Sequence, residues 1–211
     1  MIFNRPLDYI LSSYSHIAVL RTLQYAKIGM TGREISRNAK ITAKSALNAL
    51  TNLEKLKIVR RQIGGRDHIF TLNYDHYLVA KGILPLLSAE ANFLKDLMTV
   101  VRKKFGKQCE SIIIFGSVAK KEERFDSDID ICFIVPEAKN KKELETEIHD
   151  GFNLISEKFG ATLAGVIYTI DEFRRKAKKN APPIKDIIKE GILISGKTVK
   201  QVLHGKADKK S

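Results

Sequence analysis

Apolar side chains in the first part of the chain recur every three to four positions in three segments, the spacing of one face of an α-helix. The segments cover residues 15–25, 32–38 and 43–56. In the third segment the opposite face is polar, which predicts an amphipathic helix. Its apolar stripe consists of Ala46, Leu47, Leu50, Leu53 and Leu56.

Helix starts and a hairpin are marked by local signals. Thr31 stands three residues before Glu34, the spacing of a capping box. Thr42 marks the start of the next helix. Residues 58–62 and 68–72 then alternate apolar and polar side chains on either side of Gly64-Gly65, which predicts a β-hairpin.

The pattern changes from about residue 83 onward. A long amphipathic segment, 83–105, predicts a linker helix, and apolar runs that predict strands then alternate with helical segments. The expected fold class is α+β with a mixed sheet in the second part. The expected domains are residues 1–80, a linker helix over 81–106, an α/β domain over 107–204 and a flexible basic tail over 205–211.

Charge is spread unevenly over these parts. The chain has 37 Lys and Arg against 24 Asp and Glu, a net charge of +13. Residues 1–82 hold 13 of the basic and 5 of the acidic residues, so they carry +8 of that total. A basic excess favours a polyanionic partner, most simply nucleic acid, in the first part. In the second part, acids cluster over residues 122–130.

Composition excludes several classes of protein. Apolar residues make up 44% of the chain, enough for a core, and the two cysteines, Cys109 and Cys132, are too few for a disulfide framework. No apolar stretch of 18 residues is present, and the N-terminus lacks the apolar region of a signal peptide. We therefore expect a cytoplasmic protein with no membrane partner.

Residues 12–76, which contain MTGREISRNAKITAKSALNALTNLEKLKIVRRQ, resemble a winged helix-turn-helix DNA-binding domain. The resemblance implies binding of double-stranded DNA, with the second helix in the major groove and the hairpin along the backbone. A dimerisation module is the alternative, and a homodimer is compatible with both. The residues expected at the DNA are Thr42, Lys44, Ser45, Asn48, Arg60, Arg61 and Arg66.

Two short motifs in the second part suggest phosphate and metal chemistry. Gly116-Ser117 follows an apolar strand over 111–115 and opens a helix, a position where free N–H groups favour an anion. Asp128 and Asp130 lie two residues apart on the next strand, so both carboxylates share one face with Cα atoms about 7 Å apart. Two carboxylates at that spacing suit one hard cation such as Mg²⁺.

The stretch FGSVAKKEERFDSDIDICFIV closely resembles the signature of the polymerase-beta-like nucleotidyltransferases in their minimal form. The resemblance implies a catalytic, metal-binding pair, Asp128 and Asp130, with Mg²⁺ or Mn²⁺ as the metal. It further implies a nucleoside triphosphate, with ATP as the expected one. The residues implied to bind the nucleotide are Gly116, Ser117, Lys120 and Ser127.

The sequence departs from these families at three positions. Lys57 and Lys121 stand where glycine is usual, and a left-handed cap at Lys57 costs more for lysine. The third departure concerns a carboxylate that active nucleotidyltransferases carry on a later strand. The strand over 162–169 contains no acid, and Asp171 and Glu172 follow it. Either of these two residues supplies the carboxylate, or the chemistry needs one metal only, or the domain binds nucleotide without turning it over.

Three functions fit these observations. The first is a DNA-binding transcriptional regulator whose second domain binds a nucleotide and Mg²⁺. The second is an active nucleotidyltransferase that modifies a protein, RNA or small molecule and is targeted by the winged helix. The third is an assembly module with a vestigial site. The sequence leaves open whether the protein is an enzyme.

Overall fold

A computed structural model describes residues 4–64, 67–180 and 182–205. Contacts between residues divide the chain into two compact units, unit 1 (Met1–Asn92) and unit 2 (Phe93–Ser211). The chain therefore builds two cores rather than one.

Unit 1 combines helices with a small antiparallel sheet. Its three strands are ordered β1-β3-β2, and the pairing of β2 with β3 confirms the predicted hairpin. Along the chain the elements are α1 (Leu7–Ile10), α2 (Tyr14–Leu23), β1 (Met30–Thr31), α3 (Gly32–Asn38), α4 (Ala43–Lys55), β2 (Val59–Gly64), β3 (Asp67–Leu72), a π-helical turn (Val79–Ile83) and the first half of α5 (Leu84–Phe105).

Side-chain caps start α3 and α4 as predicted. The Thr31 hydroxyl accepts a hydrogen bond from the backbone of Glu34, whose carboxylate accepts one from the backbone N–H of Thr31, so the capping box is confirmed. Thr42 caps α4 through the N–H of Ser45. Lys57, just beyond that helix, has a φ of 59°, so the left-handed backbone expected there is confirmed.

Most of the apolar stripe predicted for α4 lies in the core of unit 1, but one member of it was predicted wrongly. Ala46, Leu50 and Leu53 are buried, but the side chain of Leu47 is 59% exposed. Ala49 is buried instead, at 2% exposure. The buried face is therefore rotated from the predicted stripe, because α4 is packed by α2 and α3 and not by a single partner.

Unit 2 is built around a mixed four-stranded sheet ordered β6-β5-β4-β7. Strands β5 and β6 are parallel, and the other two neighbouring pairs are antiparallel. Following the second half of α5, the elements are β4 (Ser111–Phe115), α6 (Gly116–Lys120), β5 (Ile129–Val135), α7 (Ala138–Phe159), β6 (Leu163–Thr169), α8 (Ile170–Lys178), α9 (Ile184–Glu190), β7 (Ile192–Gly196) and α10 (Val199–His204).

The two faces of this sheet carry separate clusters. On one face Phe133 packs with Phe105 of α5 and Phe152 of α7. On the other face Cys132 packs with Phe173 of α8 and with α9, and it is buried as predicted. Side chains alternate along a strand, so Asp130 shares the face of Cys132, the side of the sheet that α8 and α9 cover. Asp128 was expected on the same strand, but β5 begins one residue after it, at Ile129.

The predicted linker helix is divided between the two cores. Its first half contributes Leu87 to unit 1, and its second half contributes Leu97, Val101 and Phe105 to unit 2. The boundary between the units falls after Asn92, inside α5. Each half has its own apolar partners, which is why one amphipathic pattern runs through the whole helix. In the described part of the chain, no helix is long and apolar enough to cross a membrane.

Candidate functional site

The Gly-Ser turn of unit 2 lies against the acid pair. Phe115, the last residue of β4, pairs with Asp130 of β5, and Gly116 then turns the chain into α6 with a φ of 73°. A Cβ atom at Gly116 would collide with the Oδ2 atom of Asp130. Only glycine therefore fits, both because of its backbone and because the carboxylate occupies the space of a side chain.

The two aspartates differ in their surroundings. Asp128 precedes β5 and is exposed, whereas Asp130 lies within the strand and is partly buried. Burial first, and the negative charge of Asp128 second, raise the pKa of Asp130 above its usual range. A cation held by both carboxylates would offset both effects. Two carboxylates suit one hard cation, and the described residues contain no group of three acids, histidines or cysteines that would hold a metal.

The register of β6 decides the question of a third carboxylate. In the parallel pair, Asp130 lies opposite Ala164, so the neighbouring position on the same face carries a methyl group. Thr169 lies opposite Val135 at the far end of β5. Asp171 and Glu172 follow Thr169, so they begin about 17 Å from Asp130 along the strands. Neither residue occupies the register position beside Asp130, which Ala164 fills.

The Glu172 carboxylate also has two partners of its own, one in the cap of α8 and one in α7. Its carboxylate accepts a hydrogen bond from the N–H of Thr169 at 3.0 Å in a second capping box. It also pairs with Lys141 of α7, with an Nζ–Oε2 distance of 3.3 Å. The bond from Thr169 is the first cause that lowers the pKa of Glu172. This acid is part of the start of α8.

The other three residues expected at the nucleotide have distinct local roles. Within residues 4–64, 67–180 and 182–205, the Ser117 hydroxyl makes no hydrogen bond and is partly exposed. The Ser127 hydroxyl accepts a bond from the N–H of Arg124 at 2.8 Å and so holds the loop before β5. Lys120 reaches two carboxylates of α9, Asp186 at 3.4 Å and Glu190 at 3.6 Å. Lys120 therefore ties α6 to α9.

One aromatic residue beside the pair was not among the predicted site residues. Phe125 lies in the turn that Arg124 and Ser127 close, three residues before Asp128, and its side chain is fully exposed. Its signal in the sequence is a single aromatic side chain in an otherwise charged loop. A fully exposed phenyl ring contributes nothing to the core.

The helix residues expected at DNA lie at the start of α4 in unit 1. Lys44 and Asn48 are exposed, as is Leu47 between them. Thr42 and Ser45 are engaged with each other, because the Thr42 hydroxyl caps the helix and lies 2.9 Å from the Ser45 hydroxyl. The free polar groups of this helix face therefore belong to Lys44 and Asn48.

The arginines of the hairpin are already paired with acids. Arg60 reaches Asp75 at 2.8 Å, and Arg61 reaches Glu54 of α4 at 3.0 Å. Arg66 lies outside the described residues. The Arg60–Asp75 pair is exposed and the Arg61–Glu54 pair partly so, and because water and salt screen both pairs they contribute little to stability.

Comparison with known families identifies the second unit. Residues 94–194 match the family model of the nucleotidyltransferase domain. The matched range contains the Gly-Ser turn and both aspartates, Asp128 and Asp130. No curated protein matches the chain. Residues 94–194 therefore carry a nucleotidyltransferase domain.

Proposed function

We propose that this protein is a DNA-binding regulator whose nucleotidyltransferase domain binds a nucleoside triphosphate, ATP in the first place, together with a divalent cation. One observation carries the nucleotide half: the Gly116 turn lies against the carboxylate of Asp130, while Ala164 occupies the neighbouring position on β6. The groups that bind are thus present and the group that would complete a second metal site is missing. That combination favours binding over turnover.

Each residue of the pair and the turn has a defined part in this proposal. Asp128 and Asp130 would hold Mg²⁺ or Mn²⁺, because hard cations prefer carboxylate oxygens. When bound, the cation supplies positive charge for the phosphates. Gly116 lets a phosphate approach the backbone, and the Ser117 hydroxyl donates a hydrogen bond to it. Lys120 contributes through the position of α6 and not as a free cation.

For unit 1 we infer a winged helix-turn-helix that binds double-stranded DNA. The order of α2, α3 and α4 followed by the β2–β3 hairpin supports it, as does the exposure of Lys44 and Asn48. Lys44 would contact phosphate and Asn48 a base edge in the major groove. Arg60 and Arg61 would contact the backbone with the N–H groups that their acid partners leave free.

Nucleotide binding is tested by calorimetry on the full chain with ATP in the presence of Mg²⁺ or of a chelator. We expect binding that depends on the divalent cation and weakens at least about tenfold in Asp128→Ala. Asp150→Ala, which removes an exposed acid of α7, is the matched control and should bind as the wild type does. Absence of divalent-dependent binding would contradict the proposal.

DNA binding is tested by fluorescence anisotropy with a duplex of mixed sequence at several salt concentrations. Lys44→Ala and Arg60→Ala should each weaken binding to every sequence and lower the salt slope by about one. Asn48→Ala should mainly reduce discrimination between sequences. Lys81→Ala removes an exposed lysine of the π-helical turn and serves as the control. An equal loss of DNA affinity in Lys81→Ala would show that α4 and the hairpin are not the DNA interface.

A second candidate function is nucleotidyl transfer to a protein, RNA or small-molecule acceptor. The match of residues 94–194 to the nucleotidyltransferase family favours it. In that reaction an acceptor hydroxyl attacks the α-phosphorus, its proton is released, and the bond to pyrophosphate breaks. Incubation with α-labelled ATP and the chain itself, protein or RNA as acceptor distinguishes the two. Label transfer abolished by Asp128→Ala would establish the enzyme, and nucleotide binding without transfer supports the regulator.

A homodimer is part of the same proposal, because winged helices commonly bind palindromic DNA as symmetric pairs. Sedimentation of the full chain, alone and with DNA, measures it. A monomer that binds DNA with a stoichiometry of one per duplex would contradict this part while leaving DNA binding intact.

A further inference from the structure

Unit 1 contains a cavity that its proposed DNA surface does not use. The cavity has a volume of about 450 Å³, within the range of small-molecule sites. One wall is a single face of α2, and the other walls are β1 and the turn between α3 and α4. The lining residues are Tyr14, Ala18, Arg21, Thr22, Tyr25, Met30, Asn38, Ala39 and Lys40.

The rim of this cavity, which we call the α2 pocket, is aromatic. Tyr14 and Tyr25 lie at the two ends of the α2 face, and their side chains are 68% and 72% exposed. Neither ring belongs to the core of unit 1. Two exposed phenol rings beside a cavity offer flat apolar surface that is available for stacking on a planar ligand.

The charge of the α2 pocket is positive. Its lining includes Arg21 and Lys40 and no acid. Arg21 is neutralised by two hydrogen bonds to the carboxylate of Glu90, at 2.6 and 2.7 Å. Lys40 is exposed and makes no ion pair within the part of the chain that the structure describes. One uncompensated positive charge therefore remains at the mouth.

We propose that the α2 pocket is a binding site for a small planar aromatic anion. The ring of Tyr25 would contact the plane of the ligand, and the Lys40 ammonium would pair with its carboxylate or phosphate. Ala18 and Thr22 also line the pocket, and their small side chains leave room for a ring. The charge of the lining selects an anion over a neutral ring, and the ring of Tyr25 selects an aromatic anion over inorganic phosphate.

Such a ligand would also affect DNA binding, an effect that rests on the proposed function of unit 1. Asn38 ends α3, and Ala39 and Lys40 follow it in the turn that leads to Thr42, the cap of α4. A bound anion places negative charge beside that turn and opposes the approach of DNA phosphates. Occupation of the pocket therefore weakens DNA binding.

The site is tested by calorimetry on the full chain with 2-naphthoate as the probe. Lys40→Gln should weaken binding about fivefold and Tyr25→Ala about tenfold. Two variants remove similarly exposed residues of unit 1 outside the pocket and should leave the affinity unchanged. They are Tyr77→Ala, whose side chain is 74% exposed, and Lys27→Gln.

Two ligand controls complete the design. In the wild type, the neutral analogue 2-naphthamide should bind more weakly than 2-naphthoate. In Lys40→Gln the two ligands should bind with equal affinity. Acetate should not compete with 2-naphthoate for the pocket. Because both tyrosines are exposed, the variants are expected to fold, and their circular dichroism checks it. Equal affinities for the pocket and control variants, or no binding of the naphthoate, would overturn the proposal.

The effect on DNA has its own readout, the affinity for a mixed-sequence duplex with and without saturating 2-naphthoate. We expect weaker DNA binding in the wild type and no change in Tyr25→Ala. Probe binding in a chain that has no DNA affinity would reject the proposed function and keep the pocket. DNA binding that the bound probe leaves unchanged would overturn the regulatory effect alone.

Discussion

The charged residues of the two candidate sites differ in their surroundings: those of unit 1 lie beside opposite charges, and those of unit 2 lie beside each other. In unit 1, the hairpin arginines Arg60 and Arg61 each have an acid within 3.0 Å. In unit 2, Asp128 and Asp130 repel each other, and burial together with that repulsion raises the pKa of Asp130. Under the proposed function, DNA binding by unit 1 would exchange these ion pairs for new ones, whereas a cation at unit 2 would relieve an existing electrostatic cost. Net charge alone would have pointed to unit 1, and not to unit 2, as the region with the stronger tendency to bind a charged partner.

The largest effect is expected at Gly116 of unit 2, where neither the backbone nor the neighbouring carboxylate leaves room for a side chain. Gly116→Ala forces a left-handed alanine and drives its Cβ into Asp130, so we expect the free energy of unfolding to fall by about 3 kcal/mol. Gly160→Ala is the matched control, with a φ of 63° and no atom within 4 Å of the added Cβ. It should cost about 1 kcal/mol. Urea unfolding followed by circular dichroism measures both, and equal losses would contradict the close approach of Asp130.

A second change sharpens the comparison by adding charge to unit 2. Ala164→Asp places a third carboxylate beside Asp130, so we expect the affinity for Mg²⁺ to rise about tenfold. Ala164→Asn has the same size without the charge and should leave the affinity near that of the wild type. Calorimetry with Mg²⁺ alone measures it. An aspartate variant no tighter than the asparagine variant would place Ala164 out of reach of the pair.

A third change compares the units at the same backbone feature. Lys57 in unit 1 and Lys121 in unit 2 both end a helix with a φ of 59°. Replacing either by glycine removes the left-handed penalty, so we expect the free energy of unfolding to rise by about 1 kcal/mol in each. Lys55→Gly changes the last residue of α4, whose backbone is right-handed, and should instead lower it by about 0.5 kcal/mol. Thermal unfolding of the three variants checks both signs, and a loss of stability in Lys57→Gly would refute the assigned cause.

The smallest effect concerns the charge cost of unit 2 in the absence of metal. The pKa of Asp130 is raised in the folded protein, so its cost is complete above that pKa and disappears below the pKa of the unfolded chain. In a chelator at pH 7, Asp130→Asn should raise the free energy of unfolding by about 0.5 kcal/mol after solvent screening. The advantage should disappear as the pH falls below the ordinary range of an aspartate.

Denaturation curves from pH 3 to pH 7 measure this difference. Asp150→Asn, which changes an exposed carboxylate of α7, is the control. A stability difference between Asp130→Asn and the wild type that is the same at every pH would show that the substitution acts through packing and not through charge.

Local features of the fold were readable from the sequence because neighbours in the chain produce them. The capping box of Thr31 and Glu34, the strand Ser111–Phe115 and the left-handed backbone at Lys57 are confirmed. Each depends on residues within a few positions of one another. The stripe of α4 shows the limit, since Leu47 was predicted to be buried and is exposed. Which side of a helix is covered depends on partners far away in the chain.

Within the candidate site, the sequence determined the residue types and their local order: a glycine-serine turn after a strand, and two aspartates two residues apart at the start of the next. Only the tertiary structure decided what lies around them. The parallel register of β6 brings Ala164, and not Asp171 or Glu172, beside Asp130, and the packing of α9 places two acids on Lys120. The physical reason is that strand register and helix packing are set by the burial of whole faces, which no single motif records.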